Sequence, residues 1–270
     1  MPMGSLGDRS ASRIVPYPGL RRVLEMTQRS AMTVPMIHGF VEFDVTEAQR
    51  RLRAHQARTG EKPSFTGFMV FCLGQAVAAD RSVQALHKGY NKLEIFDDVD
   101  VGLPVERDFD GWKQPVIAII RAAHKKSYLD IHREIRAAQA APVGEVWEGF
   151  TRFSWMPPVL VRLLWPLFWW RVRRDPEFQR AFGGTVGISA VGMFAKGAGW
   201  ALPIANRTQL TLGGIASKPA VVDDRIEIRE MLSVTLSFDH AIIDGGNATR
   251  FTDRLKRLVE SAAGLEQLEG

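Results

Sequence analysis

Residues 232–238 carry the clearest alternation of hydrophobic and polar positions in this chain. Large apolar side chains at every second position predict a strand, and small hydroxyl residues between them fit a second packed face. The residues that form this pattern are Leu232, Ser233, Val234, Thr235, Leu236, Ser237 and Phe238. Gly245 and Gly246 then allow the backbone to turn. The apolar spacing that follows predicts an amphipathic helix from about residue 248 to about residue 263.

The same reading predicts alternating helices and strands along most of the chain. Strands are predicted from apolar runs at 36–45, 115–121, 185–190 and 209–215, with two more within 91–104 and a hairpin over 220–228. Helices are predicted at 20–30, 46–58, 66–79 and 127–140. Ser127 with Asp130, and Thr46 with Gln49, have the spacing of capping boxes. Residues 1–18 hold three prolines and predict an N-terminal arm ahead of one domain over 19–270.

Residues 142–182 depart from this pattern because they concentrate tryptophan and phenylalanine between prolines. Residues 159–170 are strongly apolar, but a bilayer-spanning helix needs about 20 apolar residues. Three interpretations of this aromatic-rich insertion stay open: an oligomer or intrachain contact, a helix lying on a membrane surface, and the wall of an apolar acyl pocket. Aromatic side chains serve protein contacts most often, which favours the first interpretation.

Composition narrows the classes of function. A chain of 270 residues with 46% hydrophobic residues is long enough to bury a full core. The formal net charge is +5, but lysine and arginine are dispersed rather than massed on one element, which argues against nucleic acid as a partner. A phosphate-bearing cofactor fits the modest positive charge equally well.

Cysteine and histidine usage limit the chemistry further. The single cysteine, Cys72, excludes an internal disulfide and lies among apolar neighbours, which predicts a buried packing residue and a reducing compartment. The N-terminus lacks a signal-peptide pattern, so we expect a cytoplasmic location. Five histidines show no ligand spacing with acidic or cysteine partners, and no bound metal is expected. They are His38, His55, His87, His124 and His132.

The sixth histidine, His240, lies where the strand at 232–238 ends and is flanked by Asp239 and Asp244. An imidazole on a rigid turn suits a general base because its ordinary pKa lies near neutral. A histidine at a strand end also serves purely structural purposes. Asp244 precedes a helix and is predicted to satisfy backbone donors there or to pair with an arginine that holds the loop. Asp239 is predicted to lie at the surface or in an ion pair.

The string His240-Ala241-Ile242-Ile243-Asp244-Gly245 resembles the His-x-x-x-Asp-Gly signature of the acyltransferase component of 2-oxoacid dehydrogenase complexes, which chloramphenicol acetyltransferase shares. The similarity extends from about residue 20 to 262. It is strongest at 185–194, 209–228 and 232–251. The segment 98–105 resembles the strand that borders the family's cofactor channel.

This resemblance implies an α/β fold, a two-layer sandwich in which helices cover a mixed β-sheet, and a trimer with active sites between subunits. It implies His240 as general base, Ser189 as donor to the oxyanion, and Asp244 as the third signature residue. CoA or acyl-CoA would be the substrate, contacted by Gly192, Met193, Gly245 and Gly246. The family's acyltransferases carry a lipoyl domain ahead of the catalytic domain, and the sequence before residue 20 does not resemble one. We therefore expect any lipoyl group to come from a separate lipoyl- or acyl-carrier partner.

Two departures from the family pattern stand out: Ala241 replaces the arginine usual in the dehydrogenase acyltransferases, and the aromatic-rich insertion replaces a short polar loop. The C-terminal residues 265–270 resemble a weaker form of the apolar hook that joins trimers into cages, so a cage of trimers stays open.

Our first hypothesis is an acyltransferase that moves an acyl group between CoA and a dihydrolipoyl-type thiol or another acceptor. The alternative is a non-catalytic oligomeric scaffold that holds protein partners or a membrane surface through residues 146–178.

Overall fold

The computed structural model of the chain describes residues 33–109, 112–141, 158–192, 197–204 and 207–268, together with Glu25, Gln28 and Arg29. The predicted arm at 1–18 lies outside the described residues, as does most of the helix predicted at 20–30. The strands are β1 Met36–Asp44, β2 Leu86–Lys88, β3 Lys92–Glu94, β4 Val101–Phe109, β5 Trp112–Ile120, β6 Val186–Ala190, β7 Gln209–Val222 and β8 Arg225–Asp239. The α-helices are α1 Thr46–Thr59, α2 Phe65–Ala79, α3 Tyr128–Ala140, α4 Pro158–Arg174, α5 Pro176–Gly183 and α6 Gly245–Glu260.

A six-stranded mixed sheet in the order β1-β8-β7-β6-β4-β5 organises the chain. β6 pairs in parallel with both β4 and β7, and the remaining neighbours are antiparallel. Strands β2 and β3 form a separate two-stranded sheet. Helices α1, α2, α3 and α6 contribute to one buried hydrophobic core with the strands of the large sheet. The predicted two-layer α/β sandwich with a mixed sheet is confirmed.

The alternation in β8 produces the two packed faces that the sequence predicts. Its large apolar residues belong to the core under the helices. Ser233, Thr235 and Ser237 occupy the opposite face and are fully buried. A slip of the strand pairing by one residue would move every side chain of β8 to the opposite face of the sheet. The alternation therefore fixes the register of β8 between β1 and β7.

Strands β7 and β8 form one long hairpin. The strand predicted at 209–215 and the hairpin predicted at 220–228 are therefore parts of one hairpin rather than separate elements. Their ladder runs from the pair Gln209 and Ser237 to the pair Val222 and Arg225, with a bulge between Leu212 and Ile215. Asp223 and Asp224 both have positive φ, as a two-residue turn of this kind requires. The predicted turn at the two aspartates is confirmed.

The two capping predictions have different outcomes. Ser127 and Asp130 form the reciprocal capping box at the start of α3. Thr46 does not cap α1: it is the first helical residue, and its hydroxyl accepts the N–H of Glu230 on β8 at 2.8 Å. Asp44 accepts the N–H of Thr46 instead, at 2.9 Å. A tertiary contact therefore overrides the local signal.

Helix α2 is apolar on nearly every side and packs at the centre of the core, as predicted. Cys72 is fully buried on this helix, and burial raises the pKa of its thiol well above the ordinary range. The prediction that Cys72 is a packing residue is confirmed. None of the helices in the described part of the chain has the length and apolarity needed to cross a membrane.

Candidate active site

His240 lies on the turn that follows β8, and backbone atoms hold this turn on two sides. Its N–H donates to the carbonyl oxygen of Pro35 at 2.7 Å. Its ring atom Nδ1 lies 3.0 Å from the carbonyl oxygen of Ile243. The residue itself is exposed. The turn between β8 and α6 therefore holds the imidazole of His240 in a fixed orientation and exposes it to solvent.

The contact with Ile243 selects the tautomer of His240. A carbonyl oxygen can only accept a hydrogen bond, so Nδ1 must carry the proton. In the neutral imidazole the other nitrogen, Nε2, then has a free lone pair. This is the form that a general base requires, and it is set by the backbone of the same turn.

Asp244 is the N-cap of α6. Its carboxylate oxygen Oδ1 accepts the N–H of Asn247 at 2.9 Å, and its backbone is extended. Gly245 and Gly246 are the first two helical residues, and Asn247 lies in the first turn. The structural role predicted for Asp244 is therefore present, and this carboxylate fixes where the turn ends and the helix begins.

Of the two alternatives predicted for Asp239, the surface location is wrong, because only 8% of the residue is exposed, whereas the ion-pair alternative agrees with its contact to His87. Its Oδ1 accepts the N–H of Ala241 at 2.9 Å. Its other oxygen lies 3.9 Å from Nε2 of His87 on β2, the separate strand that covers this end of the sheet. Asp239 thus holds the turn from its buried side, while Ile243 holds it from the helix side.

Ser189 lies on β6, and the structure does not bring it to His240 of the same chain. The register pairs Ser189 with Thr211 on β7 and Thr211 with Thr235 on β8. Five residues at about 3.3 Å each, and two strand spacings of about 4.8 Å, then separate Ser189 from His240. These values place their Cα atoms roughly 19 Å apart, far beyond hydrogen-bond reach.

The face on which Ser189 lies is rich in hydroxyl groups. Its neighbours Thr211 and Thr235 are buried, and their Oγ1 atoms have no hydrogen-bond partner among the described residues. Ser189 is only half-buried. Of this row of three hydroxyls, it is the one that a group from outside the chain can reach.

The glycines assigned to cofactor contact fall into two groups. Gly192 lies against β7, and a Cβ built on it would overlap the carbonyl oxygen of Gly213, so close packing requires a glycine at this position. Gly245 and Gly246 are both exposed. A Cβ on Gly245 would meet open space, whereas one on Gly246 would lie 3.5 Å from Oδ1 of Asp244. Met193 lies outside the described residues.

A cleft of about 300 Å³ adjoins the His240 turn. Its walls include Asp239, Ala241, Ile242 and Ile243 from the turn, Trp169 and Val172 from α4, and Gln179 from α5. Arg207 contributes the cationic part of the lining, although burial lowers the pKa of its guanidinium to about 10. The cleft thus combines apolar walls with the guanidinium of Arg207 and the carboxylate of Asp239, immediately beside the turn that carries the candidate base.

One face of α4, within the aromatic-rich insertion, lines this cleft. The opposite face of α4 is exposed. Rings of Trp165, Trp169, Phe178 and Phe182 surround Phe168, with centroids 5.4 to 5.9 Å from it. Intrachain packing, the favoured interpretation of the segment, therefore applies to the inner face. Residues 142–157 lie outside the described part of the chain.

Sequence reasoning missed Pro35, His87 and Arg207 as neighbours of this site. They come from segments far from residue 240, and no local pattern marks them. The remaining histidines are held in the chain: Nδ1 of His38 lies 2.8 Å from Oγ of Ser237, and Nε2 of His132 lies 3.0 Å from a carboxylate oxygen of Glu61. Across the described residues, no group of three histidine, cysteine or acidic side chains has the arrangement of a metal site.

Comparison with known proteins identifies one family. A sequence profile described as "2-oxoacid dehydrogenases acyltransferase (catalytic domain)" matches residues 9–142 and 176–266. The lipoamide acyltransferase component of the branched-chain alpha-keto acid dehydrogenase complex of Pseudomonas aeruginosa is 26% identical over 269 residues, which cover 96% of this chain and 54% of that protein. The chain spans about half the length of the curated relatives it matches.

Solved structures show the same fold. The cubic core of the pyruvate dehydrogenase multienzyme complex has a TM-score of 0.69 at 19% identity, with 98% of both chains covered. The dihydrolipoamide acetyltransferase of Azotobacter vinelandii has a TM-score of 0.70 at 20% identity, with 98% of both chains covered. In that protein a serine, a histidine and an asparagine were investigated for their role in the catalytic mechanism; the serine precedes the histidine by 52 positions and the asparagine follows it by four.

Proposed function

Because the chain belongs to the family of 2-oxoacid dehydrogenase acyltransferase catalytic domains, which shares its fold with chloramphenicol acetyltransferase, we propose that it transfers an acyl group between CoA and a second thiol. The observation that carries the proposal is the His240 turn. The protonated Nδ1 faces the carbonyl of Ile243, and the basic Nε2 belongs to an exposed ring.

The order of candidate residues supports the same assignment. Ser189 precedes His240 by 51 positions and Asp244 follows it by four. This is nearly the spacing of the serine, histidine and asparagine in the Azotobacter acetyltransferase. Here the third position is an aspartate, and we assign it the positioning role that its capping bond to Asn247 supports.

In the proposed reaction, Nε2 of His240 removes the proton from the attacking thiol. The thiolate attacks the thioester carbonyl, and the new carbon–sulfur bond leaves an oxyanion. The hydroxyl of Ser189 donates a hydrogen bond to this oxyanion, an effect typically worth about 3 kcal/mol when the donor is preorganised. Collapse of the intermediate breaks the original carbon–sulfur bond, and the departing thiolate takes the proton back from the imidazolium.

If Ser189 and His240 serve one site, their separation of roughly 19 Å within a chain means that they come from different copies. We propose a homotrimer with each site between neighbouring subunits, as the family resemblance implies. Leu265 and Leu268, the apolar residues of the C-terminal segment that resembles the family's hook, are buried in the chain's own core. A cage of trimers would therefore need contacts other than these two side chains.

We assign the substrate contacts to the surroundings of the turn. Gly245 and Gly246 leave the start of α6 open for the CoA arm, with Gly192 and Met193 on the segment after β6. The apolar cleft beside Ile242 receives the acyl group, so Val172 and Trp169 limit the size of that group. The acceptor thiol comes from a dihydrolipoyl group on a separate carrier protein or from another small thiol, in the cytoplasm.

The test is thiol release from a series of acyl-CoA substrates, with dihydrolipoamide and other thiols as acceptors. Wild-type protein is expected to turn over at least one acyl-CoA, and His240→Ala is expected to lose that activity. Equal rates for the two proteins would overturn the assignment of His240 as the base. The alternative of a non-catalytic scaffold predicts no turnover by either protein.

A further inference from the structure

Helix α4 has two apolar faces, and only one of them packs against other residues in the described part of the chain. At about 100° per residue, its inner residues Trp165, Phe168, Trp169 and Val172 fall on one arc of the helix and its exposed apolar residues on an opposite arc about 140° wide. Val159 and Leu163 on the outer arc are 80% and 73% exposed. The full outer set is Val159, Leu160, Leu163, Leu164, Leu167 and Trp170.

We propose that this outer face of α4 docks the protein onto the surface of a membrane that contains anionic phospholipids. Six apolar side chains in one stripe form a larger exposed patch than scattered surface residues do, and such patches mark interaction sites. The helix has 17 residues and is about 25 Å long at 1.5 Å per residue. It is therefore suited to lie in the plane of the interface rather than to cross the bilayer.

The inner face holds α4 in place as a platform. Phe168 packs against Phe178 and Phe182 of α5 with ring centroids 5.6 and 5.9 Å away. Arg180 of α5 in turn donates to the buried carboxylate of Asp100 at 2.7 Å, which ties the insertion to the start of β4. The outer stripe is thus presented by a helix anchored to the folded domain.

The charge of α4 favours an anionic surface. The helix contains no aspartate or glutamate, and it carries arginine at 162, 171, 173 and 174. Arg171 and Arg174 fall on the outer arc at its C-terminal end, and both are exposed. The Arg174 guanidinium stacks 4.9 Å from the ring centroid of Trp170. Tryptophan beside arginine at one end of an apolar stripe is the arrangement that suits the headgroup layer.

Two observations favour lipid over a second copy of this chain. The family profile matches 9–142 and 176–266 and omits the intervening residues, so the contacts within the shared family core do not include α4. A second α4 would also bring Arg174 without any carboxylate of its own helix to receive it, and Asp175, which follows the helix, already pairs with Arg171 at 3.0 Å. Phosphate groups of anionic lipids supply that missing charge.

The experiment is flotation of the full chain with vesicles of phosphatidylcholine alone and of phosphatidylcholine mixed with phosphatidylglycerol. Wild-type protein is expected to float with the mixed vesicles and to remain at the bottom with the neutral ones. The double variant Leu163→Glu with Leu167→Glu is expected to bind at least ~10-fold more weakly. Arg174→Gln is expected to bind about fivefold more weakly, since each basic residue near such a surface contributes about that factor.

Ile226→Glu is the matched control, because Ile226 is 79% exposed on the β7–β8 hairpin, away from α4 in the sequence. It should float like wild type. Absence of wild-type binding to the mixed vesicles, or an equal loss in Ile226→Glu, would overturn the proposal. So would a double variant that still floats but sediments as a smaller oligomer, because that result assigns the stripe to a second copy.

Discussion

Nδ1 of His240 lies 3.0 Å from the carbonyl oxygen of Ile243, three residues further along the same turn. Because the carbonyl only accepts, this contact assigns the ring proton to Nδ1 and leaves Nε2 basic. The first prediction tests the base directly. His240→Gln should lower kcat for acyl transfer by about 10²- to 10⁴-fold. Its thermal midpoint should stay near that of wild type, because the side chain is exposed.

His55→Gln is the control for that measurement, since His55 is a partly buried histidine on α1 whose ring lies 3.5 Å from the carbonyl oxygen of Leu268. Its kcat should match that of wild type. A loss of activity in both variants to the same extent would assign the effect to stability rather than to proton transfer.

The second prediction concerns the capping carboxylate of Asp244. Asp244→Ala removes the acceptor for the N–H of Asn247 and should lower the free energy of unfolding by about 1 kcal/mol. Asp244→Asn keeps a capping oxygen and should lie within a few tenths of a kcal/mol of wild type. Urea unfolding of the three proteins measures the difference. An equal loss of unfolding free energy in both variants would mean that the carboxylate charge, rather than the capping hydrogen bond, stabilises the turn.

The third prediction concerns the pH dependence of stability. Asp100 is fully buried and accepts from Arg121 at 2.8 Å, Arg180 at 2.7 Å and the N–H of Ala122 at 2.9 Å. Burial alone would raise the pKa of this carboxyl, but the hydrogen bonds and the two guanidinium charges outweigh it and lower the pKa. The stabilisation is therefore present above the unfolded pKa of about 3.9 and is lost as the pH falls through the lower folded value.

Asp100→Asn should accordingly destabilise the protein by about 3 kcal/mol at neutral pH, because two arginines lose their carboxylate. The gap from wild type should shrink as the pH falls below about 4. Urea midpoints over a pH series measure it. Asp98→Asn is the control, since its exposed ion pair with Lys125 should contribute less than about 1 kcal/mol. A gap for Asp100→Asn that is constant with pH would contradict this account.

The fourth prediction concerns the cleft wall. Val172→Ala removes two methyl groups from the lining beside Ile242. If the acyl group lies there, the ratio of kcat/KM for a longer acyl-CoA to that for acetyl-CoA should rise by about fourfold per methylene accommodated. Val77→Ala, a truncation in the core on α2, should leave that ratio unchanged. An unchanged ratio in both variants would place the acyl group elsewhere.

Local patterns in the sequence predicted those parts of the structure that depend on local physics. The alternation in 232–238, the capping box at Ser127 and the turn at Asp223 and Asp224 each need only a few neighbouring residues. The catalytic assignment of His240 came from resemblance, while the structure adds what holds its backbone and its ring. The backbone N–H bonds Pro35 and the ring contacts Ile243. Both partners are backbone carbonyls, which carry no residue-specific signal.

The misses share a physical cause, which is pairing between distant segments. Thr46 looked like a cap, yet its hydroxyl is used by Glu230 of β8. Asp239 was predicted at the surface or in an ion pair, and its burial beside His87 of β2 excludes the first alternative only. Arg180 bonds Asp100 across 80 positions of sequence. Each of these depends on the order of strands in the sheet, which local periodicity does not specify.

The most direct test of the central claim is complementation between two inactive variants. His240→Ala and Ser189→Ala are each prepared, mixed in equal amounts, unfolded and refolded together, and assayed for acyl transfer. A site shared between subunits predicts that about a quarter of the sites pair an intact His240 with an intact Ser189, so the mixture should recover about a quarter of wild-type activity. A mixture no more active than the two variants assayed separately would contradict a site built from His240 of one chain and Ser189 of its neighbour.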